Sequence, residues 1–490
     1  MNPTGEGVAD ETKSASKAGG AKTETDPASG KSDAGLQVIV LGQSGGPWED
    51  SVTGMLVRST STNWGPDSII AVDAGTLLCG IKYVLESEGD NGPFAGMAMP
   101  HKTAKANAAH ILRETVGTVL VTHAHLDHIS GFVLNSQILE ASNRPKRLAA
   151  LPSVIAAFKD HIFNGVIWPN LTDEDDGAGL FTFQRLAEGG SRDEERGYVR
   201  ACEGLMTQCF AVSHGRRKLE HQQQDTTPTP DMHSVRQSMP SSADRTMSQL
   251  DDPTPFVPSL SPAPGQAPSS RSPREVPEMV ESSAFFIRDR SSGKEIIIFG
   301  DVEPDSVSAY PRNRRVWEMA APKIISGALR AIFIECSYDD SVKDENLYGH
   351  LNPRHLIAEL KVLAQLVTKL KHGADRKRKR SPSPTGEGAA DEPSSSRVCT
   401  RSQTKSKTSP VVLIENSSSS LVADEDDGIG WSEQEKPLVG LHIYPIHIKD
   451  DINEKECVVD RIWSQFDVRA NFEDLGCLVC VPRRGEEILI

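Results

Sequence analysis

The sequence has few aromatic residues, no long apolar run and no regular spacing of its cysteines. Aromatic residues make up only 5% and hydrophobic residues 37% of the 490 positions. No run of about 18 apolar residues is present, so we expect no membrane-spanning helix. The N-terminal stretch MNPTGEGVADETKSASKAGG lacks an apolar core, which argues against a secretory signal. The eight cysteines form no framework, which indicates a reducing compartment, and we expect an intracellular, cytoplasmic protein.

The sequence also lacks an excess of positive charge. Its 53 basic and 68 acidic residues give a net charge of -15. An acidic chain is a poor binder of a polyphosphate backbone, so we expect no nucleic-acid partner. Small anionic substrates are not excluded, because a bound metal ion reverses the local field.

A single CxxC pair, Cys477 and Cys480, lies near the C-terminus. Zinc and redox sites of this type usually need a second pair or a suitable fold around them. Because no second pair is nearby, we interpret CLVCV as a buried strand.

Three stretches are too polar to bury a core, and we predict them to be disordered: an N-terminal tail at 1–35 and two insertions at about 216–281 and 373–435. The second insertion contains the basic run RKRKR at 376–380, which is either solvated charge or a nuclear import signal. Ser381 and Ser383 each precede a proline and are candidate phosphorylation sites.

The remaining sequence predicts a mixed fold. Runs such as GMLVRS (54–59), TVLVT (118–122) and KEIIIFGD (294–301) predict strands, and HLIAELKVLAQLVTKLK (355–371) predicts an amphipathic helix. At least ten strand candidates arrive in consecutive groups, mixed with three or four helices. This order favours the α+β class over a simple alternating βαβ fold.

Four potential metal ligands follow one apolar, β-branched strand in VLVTHAHLDHISGF: His123, His125, Asp127 and His128. Because side chains alternate in an extended chain, the first two point the same way and can share one ion. The last two lie where the chain turns toward a helix, and can hold a second ion. Imidazole and carboxylate without thiolate suit zinc, manganese or iron, and zinc is the usual case. Two ions about 3.5–4 Å apart suit displacement at phosphorus or at a carbonyl carbon.

Other apolar strands end in residues of the same type. CFAVSH ends in His214, which suits the first ion, and LHIYPIH ends in His447, which suits the second. IIIFGD ends in Asp301, whose carboxylate can bridge both ions. Asp73 in IIAVDAGT occupies a similar position and is a candidate partner that orients a ligand.

The HxHxDH motif resembles that of the metallo-β-lactamase superfamily, and HAHLDHISGFVLNS closely resembles the signature of its class II cyclic nucleotide phosphodiesterases. The blocks VLGQSGGPWED, AVDAGT, HIFNGVIWPNL, FGDVEPD, FIECSY, YGHLNPRHLIAEL and YPIHIK also resemble this family, in its order. The resemblance covers roughly 36–490 and implies one catalytic domain, interrupted by the two insertions. The implied fold is an αββα sandwich of four layers.

The resemblance also implies roles for individual residues. A first zinc ion would be bound by His123, His125 and His214, a second by Asp127, His128 and His447, and both by Asp301. The implied catalytic residues are Asp127, His350 as proton donor and Glu335, which would orient His350. His161 and Asn164 would line the nucleotide pocket.

We therefore expect hydrolysis of 3′,5′-cyclic AMP, and of cyclic GMP as a second candidate substrate, to the 5′-monophosphate by hydroxide held on two divalent ions. The alternatives are another hydrolase of this fold, such as a ribonuclease Z-like endonuclease, lactonase or thioesterase, and a non-catalytic scaffold. The sequence leaves open whether the protein is a monomer or a dimer.

Overall fold

The computed structural model describes residues 34–87, 89–142, 144–190, 197–216, 279–380, 436–451 and 457–490. The predicted N-terminal tail, most of both predicted insertions and the two Ser-Pro serines lie outside these residues. The described residues up to Gly215 and from Val280 onward belong to one compact unit. No described helix is long and apolar enough to cross a membrane.

Two seven-stranded sheets form the centre of this unit. The first has the order β14-β1-β2-β3-β4-β5-β6, in which β3 to β6 run parallel and the remaining neighbours pair antiparallel. Its strands are β1 (Leu36–Gly42), β2 (Gly54–Ser59), β3 (Ile69–Ala74), β4 (Val116–Leu120), β5 (Lys146–Ala150), β6 (Phe181–Arg185) and β14 (Glu487–Leu489).

The second sheet has the order β13-β12-β11-β10-β9-β8-β7. Strands β10 to β13 are parallel, whereas β9 and β10 pair antiparallel, as do β7 and β8. Its strands are β7 (Val199–Cys202), β8 (Leu205–Arg216), β9 (Met279–Asp289), β10 (Glu295–Phe299), β11 (Leu329–Glu335), β12 (His442–Ile446) and β13 (Leu478–Val479).

Helices cover the outer faces of both sheets. Their bounds are α1 (Leu78–Ser87), α2 (Ala104–His110), α3 (Leu126–Asn135), α4 (Pro152–Ala157), α5 (Asn313–Ile325), α6 (Pro353–Arg380) and α7 (Val458–Gln465). Helices α1 to α4 pack in one hydrophobic cluster with the first sheet, and α5 to α7 in another with the second.

The alternation of apolar residues along β9 explains how the sheets stack. Phe285 and Ile287 belong to the cluster that contains the first sheet. Ala284 and Phe286 belong to the cluster that contains α5 to α7, the helices on the outer face of the second sheet. Because successive side chains in a strand point to opposite faces, one strand supplies both cores. The predicted αββα sandwich is therefore confirmed.

Helix α6 extends beyond the predicted helical run at 355–371: it continues to Arg380, so the basic run at 376–380 has a helical backbone. The bounds of the second insertion stay a prediction. Lys and Arg are good helix formers, so they extend a helix that already packs on a sheet. The CLVCV segment is not a buried strand: β13 has two residues, and Cys480 is exposed while Cys477 is buried.

Candidate metal centre

The HxHxDH motif forms the connection from β4 to α3. His125 is the N-cap residue of α3, and Asp127 and His128 lie in its first turn. His123 and His128 are fully buried, with 0% and 1% of their surfaces exposed. The helix comes this close because Gly75 follows β3: a Cβ there would lie 1.8 Å from the carbonyl oxygen of Asp127.

The structure brings the distant candidates to the same place. His214 lies near the end of β8, Asp301 lies two residues after β10, and His447 directly follows β12. All three are at least 97% buried. Both His447 and Asp73 adopt left-handed backbone conformations, with φ of 59° and 54°. Such conformations are costly for residues other than glycine and concentrate at functional sites.

The first group of ligand atoms surrounds one oxygen of Asp301. Its Oδ2 lies 3.5 Å from His123 Nε2 and 3.5 Å from His214 Nε2. His125 Nδ1 lies 3.3 Å from His214 Nε2. These four side chains offer ligand atoms that all lie within 4.8 Å of one another.

The second group surrounds the other oxygen of Asp301. Its Oδ1 lies 3.1 Å from His128 Nε2 and 3.2 Å from His447 Nε2. Asp127 Oδ2 lies 3.5 Å from His447 Nε2 and 3.7 Å from His128 Nε2. The carboxylate of Asp301 therefore faces one histidine-rich group with each of its oxygens.

This geometry fits two cations. Two nitrogen or oxygen ligands of one tetrahedral ion lie about 3.3 Å apart, because each is about 2.0–2.2 Å from the metal. Moreover, four of these buried atoms have no hydrogen-bond partner within the part of the chain that the structure describes: Nε2 of His123, His128 and His447, and Oδ1 of Asp301. Buried polar atoms normally have a partner, and here a cation would supply it.

Hydrogen bonds at the other ring nitrogen orient these histidines. His128 Nδ1 lies 2.8 Å from Asp73 Oδ2, and His447 Nδ1 lies 2.8 Å from Thr53 Oγ1. His214 Nδ1 lies 2.8 Å from the carbonyl oxygen of Gly349. A proton held at Nδ1 leaves the Nε2 lone pair free for a metal. Asp73 contacts His128, and its role in orienting a metal ligand stays a prediction, whereas no motif in the sequence pointed to Thr53 or Gly349.

Burial and charge keep most of the centre in the state that binds a cation. Burial lowers the pKa of His123 well below its usual value and that of His214 to about 4, so both are neutral. Burial opposes ionisation of Asp301, but the surrounding histidines outweigh it and hold the pKa of Asp301 well below its usual range. His128 differs, because Asp301 and Asp73 outweigh the effect of burial and raise its pKa. A metal ion must displace that proton, so metal binding will release it.

His350 lies beside both groups and contacts Glu335. Its Nδ1 is 3.1 Å from each carboxylate oxygen of Glu335 and 3.7 Å from Asp301 Oδ2. Glu335 is fixed in turn by the backbone N–H of Val302 at 2.7 Å and by the hydroxyl of Ser337. Burial lowers the pKa of His350 to about 4 and raises the pKa of Glu335 to about 7. Near neutral pH, His350 is therefore mostly neutral, whereas Glu335 is partly ionised.

His161 and Asn164 lie outside the described clusters of metal-ligating side chains. His161 is exposed at the end of a turn of π-helix over Phe158–Ile162. The amide oxygen of Asn164 accepts hydrogen bonds from the backbone N–H groups of Val166 and Ile167 at 3.0 and 2.9 Å. Asn164 thus stabilises its own loop, and the role of both residues in substrate binding stays a prediction.

Comparison with known proteins agrees with this geometry. The family model of the class-II cAMP phosphodiesterases matches residues 34–374. A 3′,5′-cyclic-nucleotide phosphodiesterase of Schizosaccharomyces pombe is 28% identical over 354 residues, which cover 71% of this chain and 80% of the relative. A cAMP/cGMP-dependent 3′,5′-cAMP/cGMP phosphodiesterase A of Dictyostelium discoideum is 23% identical over 68% of each chain.

Among solved structures, that of unliganded yeast PDE1 is similar in fold. Its TM-score is 0.60 at 18% identity, and the match covers 93% of this chain and all of that one. The family model spans well over half of the sequence and includes the HxHxDH motif. The chain therefore belongs to the class-II cAMP phosphodiesterases.

Proposed function

We propose that this protein hydrolyses 3′,5′-cyclic AMP to the 5′-monophosphate at the metal centre, with two divalent cations bound. One observation carries the proposal: the two oxygens of Asp301 face two separate groups of ligands, in which the Nε2 atoms of His123, His128 and His447 have no hydrogen-bond partner among the described residues. Family membership supports the cyclic-nucleotide substrate. The name of the Dictyostelium relative makes cyclic GMP the second substrate to test.

The distances assign the residues to two ions. The first group is His123, His125, His214 and Asp301, and the second is Asp127, His128, Asp301 and His447. Cations bound there would draw charge from a phosphate oxygen and make a water molecule nucleophilic near neutral pH. The ligands are imidazole and carboxylate without thiolate, which suits zinc, manganese or iron, and zinc is the usual case.

The chain itself supplies the groups that fix the ligands and handle protons. Asp73 and Thr53 hold His128 and His447 by Nδ1, so that their Nε2 atoms face the centre. Glu335 holds Nδ1 of His350, which leaves Nε2 as the atom that can deliver a proton to the departing 3′-oxygen. Because burial disfavours the charged imidazole and lowers the pKa of His350, a protonated His350 gives up its proton readily.

The seven described cysteines are all free thiols, which supports a reducing, intracellular location.

Asp127 is the most exposed carboxylate of the centre, with 26% of its side chain accessible. It is thus the ligand best placed to contact substrate as well as metal.

Purified full-length protein loaded with zinc tests the proposal. We expect turnover of cyclic AMP with the 5′-monophosphate as the product, loss of turnover after chelation, and recovery when metal is restored. Cyclic GMP measures nucleotide preference, and a precursor transfer RNA tests the rival endonuclease activity. Cleavage of the RNA without turnover of either cyclic nucleotide would contradict the proposal.

A further inference from the structure

A cavity of about 330 Å³ opens at the end of the first sheet that lies away from the metal centre. The residues that line it include Gly117 and Lys146, at the starts of β4 and β5, and Asp67, which precedes β3. The metal centre lies beyond the other ends of the same parallel strands, after Asp73 and at His123. At about 3.3 Å per residue, six residues of strand separate the two places by roughly 20 Å.

Basic side chains dominate this cavity, although the whole chain is acidic. Five basic residues line it, against three acidic ones: Arg113, Arg144, Lys146, Arg147 and Arg200 face Asp67, Glu114 and Glu203. We call it the basic cavity. Only one of the five has a carboxylate within 4.0 Å among the described residues: Arg144, whose Nη2 lies 2.6 Å from Asp67 Oδ2.

Three of the other four cations donate to carbonyl groups, which do not neutralise them. Lys146 is 3% exposed, and its Nζ donates to the carbonyl oxygens of Arg113, at 2.8 Å, and Val116. Arg147 Nη2 donates to the carbonyl oxygen of Ala201 at 2.6 Å, and Arg200 Nε donates to that of Cys202 at 3.4 Å. These bonds fix the direction of the side chains while leaving their positive charge unpaired.

Burial of a charge without an opposite charge is costly, and among these residues it concerns Lys146 and, in part, Arg147. Burial lowers the pKa of Lys146 to about 8 and also lowers the pKa of Arg147. Buried charges are normally paired with an opposite charge. Arginine forks recognise phosphate and carboxylate groups by paired hydrogen bonds. An excess of two positive charges suits a dianion, and the volume is that of a small-molecule site.

We propose that the basic cavity binds a small phosphate-bearing anion, held by Arg113, Arg147 and Arg200 beside the Lys146 ammonium group. The site is a local cavity, unlike the extended basic stripe that a nucleic-acid backbone needs. It shares no residue with the metal centre, so it does not depend on the proposed reaction.

Calorimetric titration of the full-length protein in EDTA tests this site. Chelation strips the metal centre, so phosphate bound there does not contribute to the signal. The ligands are inorganic phosphate and adenosine 5′-monophosphate, with uncharged adenosine as the third arm. We expect saturable binding of one phosphate group per chain, weaker at high salt, and no binding of adenosine. If the nucleotide binds more tightly than phosphate, the nucleoside also contacts the cavity. If both bind equally, the cavity recognises the phosphate group alone.

The variant pair R113Q/R200Q should weaken binding at least tenfold, because it removes two unpaired cations. The matched control is R330Q: Arg330 is exposed at the start of β11 and has no carboxylate within 4.0 Å among the described residues. It should bind as the parent protein does. Should the double variant fail to fold, the single variant R200E reverses one exposed charge and should show the same loss.

Three results would overturn the proposal: no phosphate binding by the parent protein in EDTA, unchanged affinity in folded R113Q/R200Q or R200E, or equal binding of adenosine and its monophosphate. Phosphodiesterase activity is measured separately in zinc, so failure of this site leaves the proposed function untouched, and the reverse also holds.

Discussion

Replacing Asp73 by asparagine tests whether this carboxylate prepares His128 for metal binding. Asp73 is 1% exposed, and its Oδ1 accepts a hydrogen bond from the backbone N–H of Thr122 at 2.8 Å, while the Thr122 hydroxyl lies 3.0 Å from Oδ1 and 2.9 Å from Oδ2. Because the backbone N–H can only donate, it keeps an oxygen at the Oδ1 position in Asp73→Asn, whereas the hydroxyl can accept from the new NH2 group. The new NH2 group therefore faces His128 Nδ1 at the position of Oδ2, 2.8 Å away. Two donors cannot bond, so His128 must move its proton to Nε2 or turn away.

The expected loss follows from that change of tautomer. Partners that orient metal-ligating histidines typically contribute 10–100-fold to metal affinity. This range corresponds to about 1.4–2.7 kcal/mol, at about 1.4 kcal/mol for each tenfold change. His128 belongs only to the second group of ligands. We therefore expect the weaker binding to affect one of the two ions, while the group of His123, His125 and His214 keeps its affinity.

Competitive zinc titration against a chromogenic chelator, with metal content by mass spectrometry, measures both affinities. The matched control is Asp344→Asn, because Asp344 makes a similar contact with His355 Nε2 at 2.9 Å on the surface. It should keep both ions. Urea unfolding in EDTA separates any loss of folding stability from the loss of metal affinity. Two ions bound by Asp73→Asn with parental affinity would refute the idea that Asp73 sets the tautomer of His128.

Three further predictions concern the centre and the basic cavity. His350→Ala should keep both metal ions but lose about 10²–10⁴-fold in kcat, the usual contribution of a general acid, and near-parental kcat would rule out that role. His125→Ala removes a ligand of the first group, so it should bind about one ion fewer per chain; full zinc occupancy by mass spectrometry would contradict the assignment. Burial lowers the pKa of Lys146 from its ordinary 10.5 to about 8. Between these pH values the unfolded chain binds more protons at this residue than the folded chain, so the free energy of unfolding rises with pH there. In phosphate-free buffer, urea midpoints of Lys146→Met should lack that rise, and an identical pH dependence in both proteins would contradict it.

The local patterns of the sequence predicted much of the fold. The run GMLVRS became β2 with the predicted bounds, and KEIIIFGD contains β10. The amphipathic run at 355–371 lies within α6, but composition alone did not predict that the helix continues through the basic run to Arg380. The prediction of a buried strand at CLVCV was wrong, because a short apolar run does not distinguish a central strand from a strand at the edge of a sheet.

For the site, the sequence alone identified the four candidate ligands that are close together in the chain, because the spacing HxHxDH directly after an apolar strand rarely arises by chance. It also pointed to His214, Asp301 and His447, since each ends an apolar strand. The resemblance implied the two ligand groups, but their arrangement around the two oxygens of Asp301 comes from the tertiary structure, because it requires that strands of both sheets end at the same place. The contacts of Thr53 and Gly349, and the basic cavity, were likewise invisible in the sequence. Their residues come from the ends of elements far apart in the chain, and sheet pairing, which acts between distant segments, is what brings those ends together.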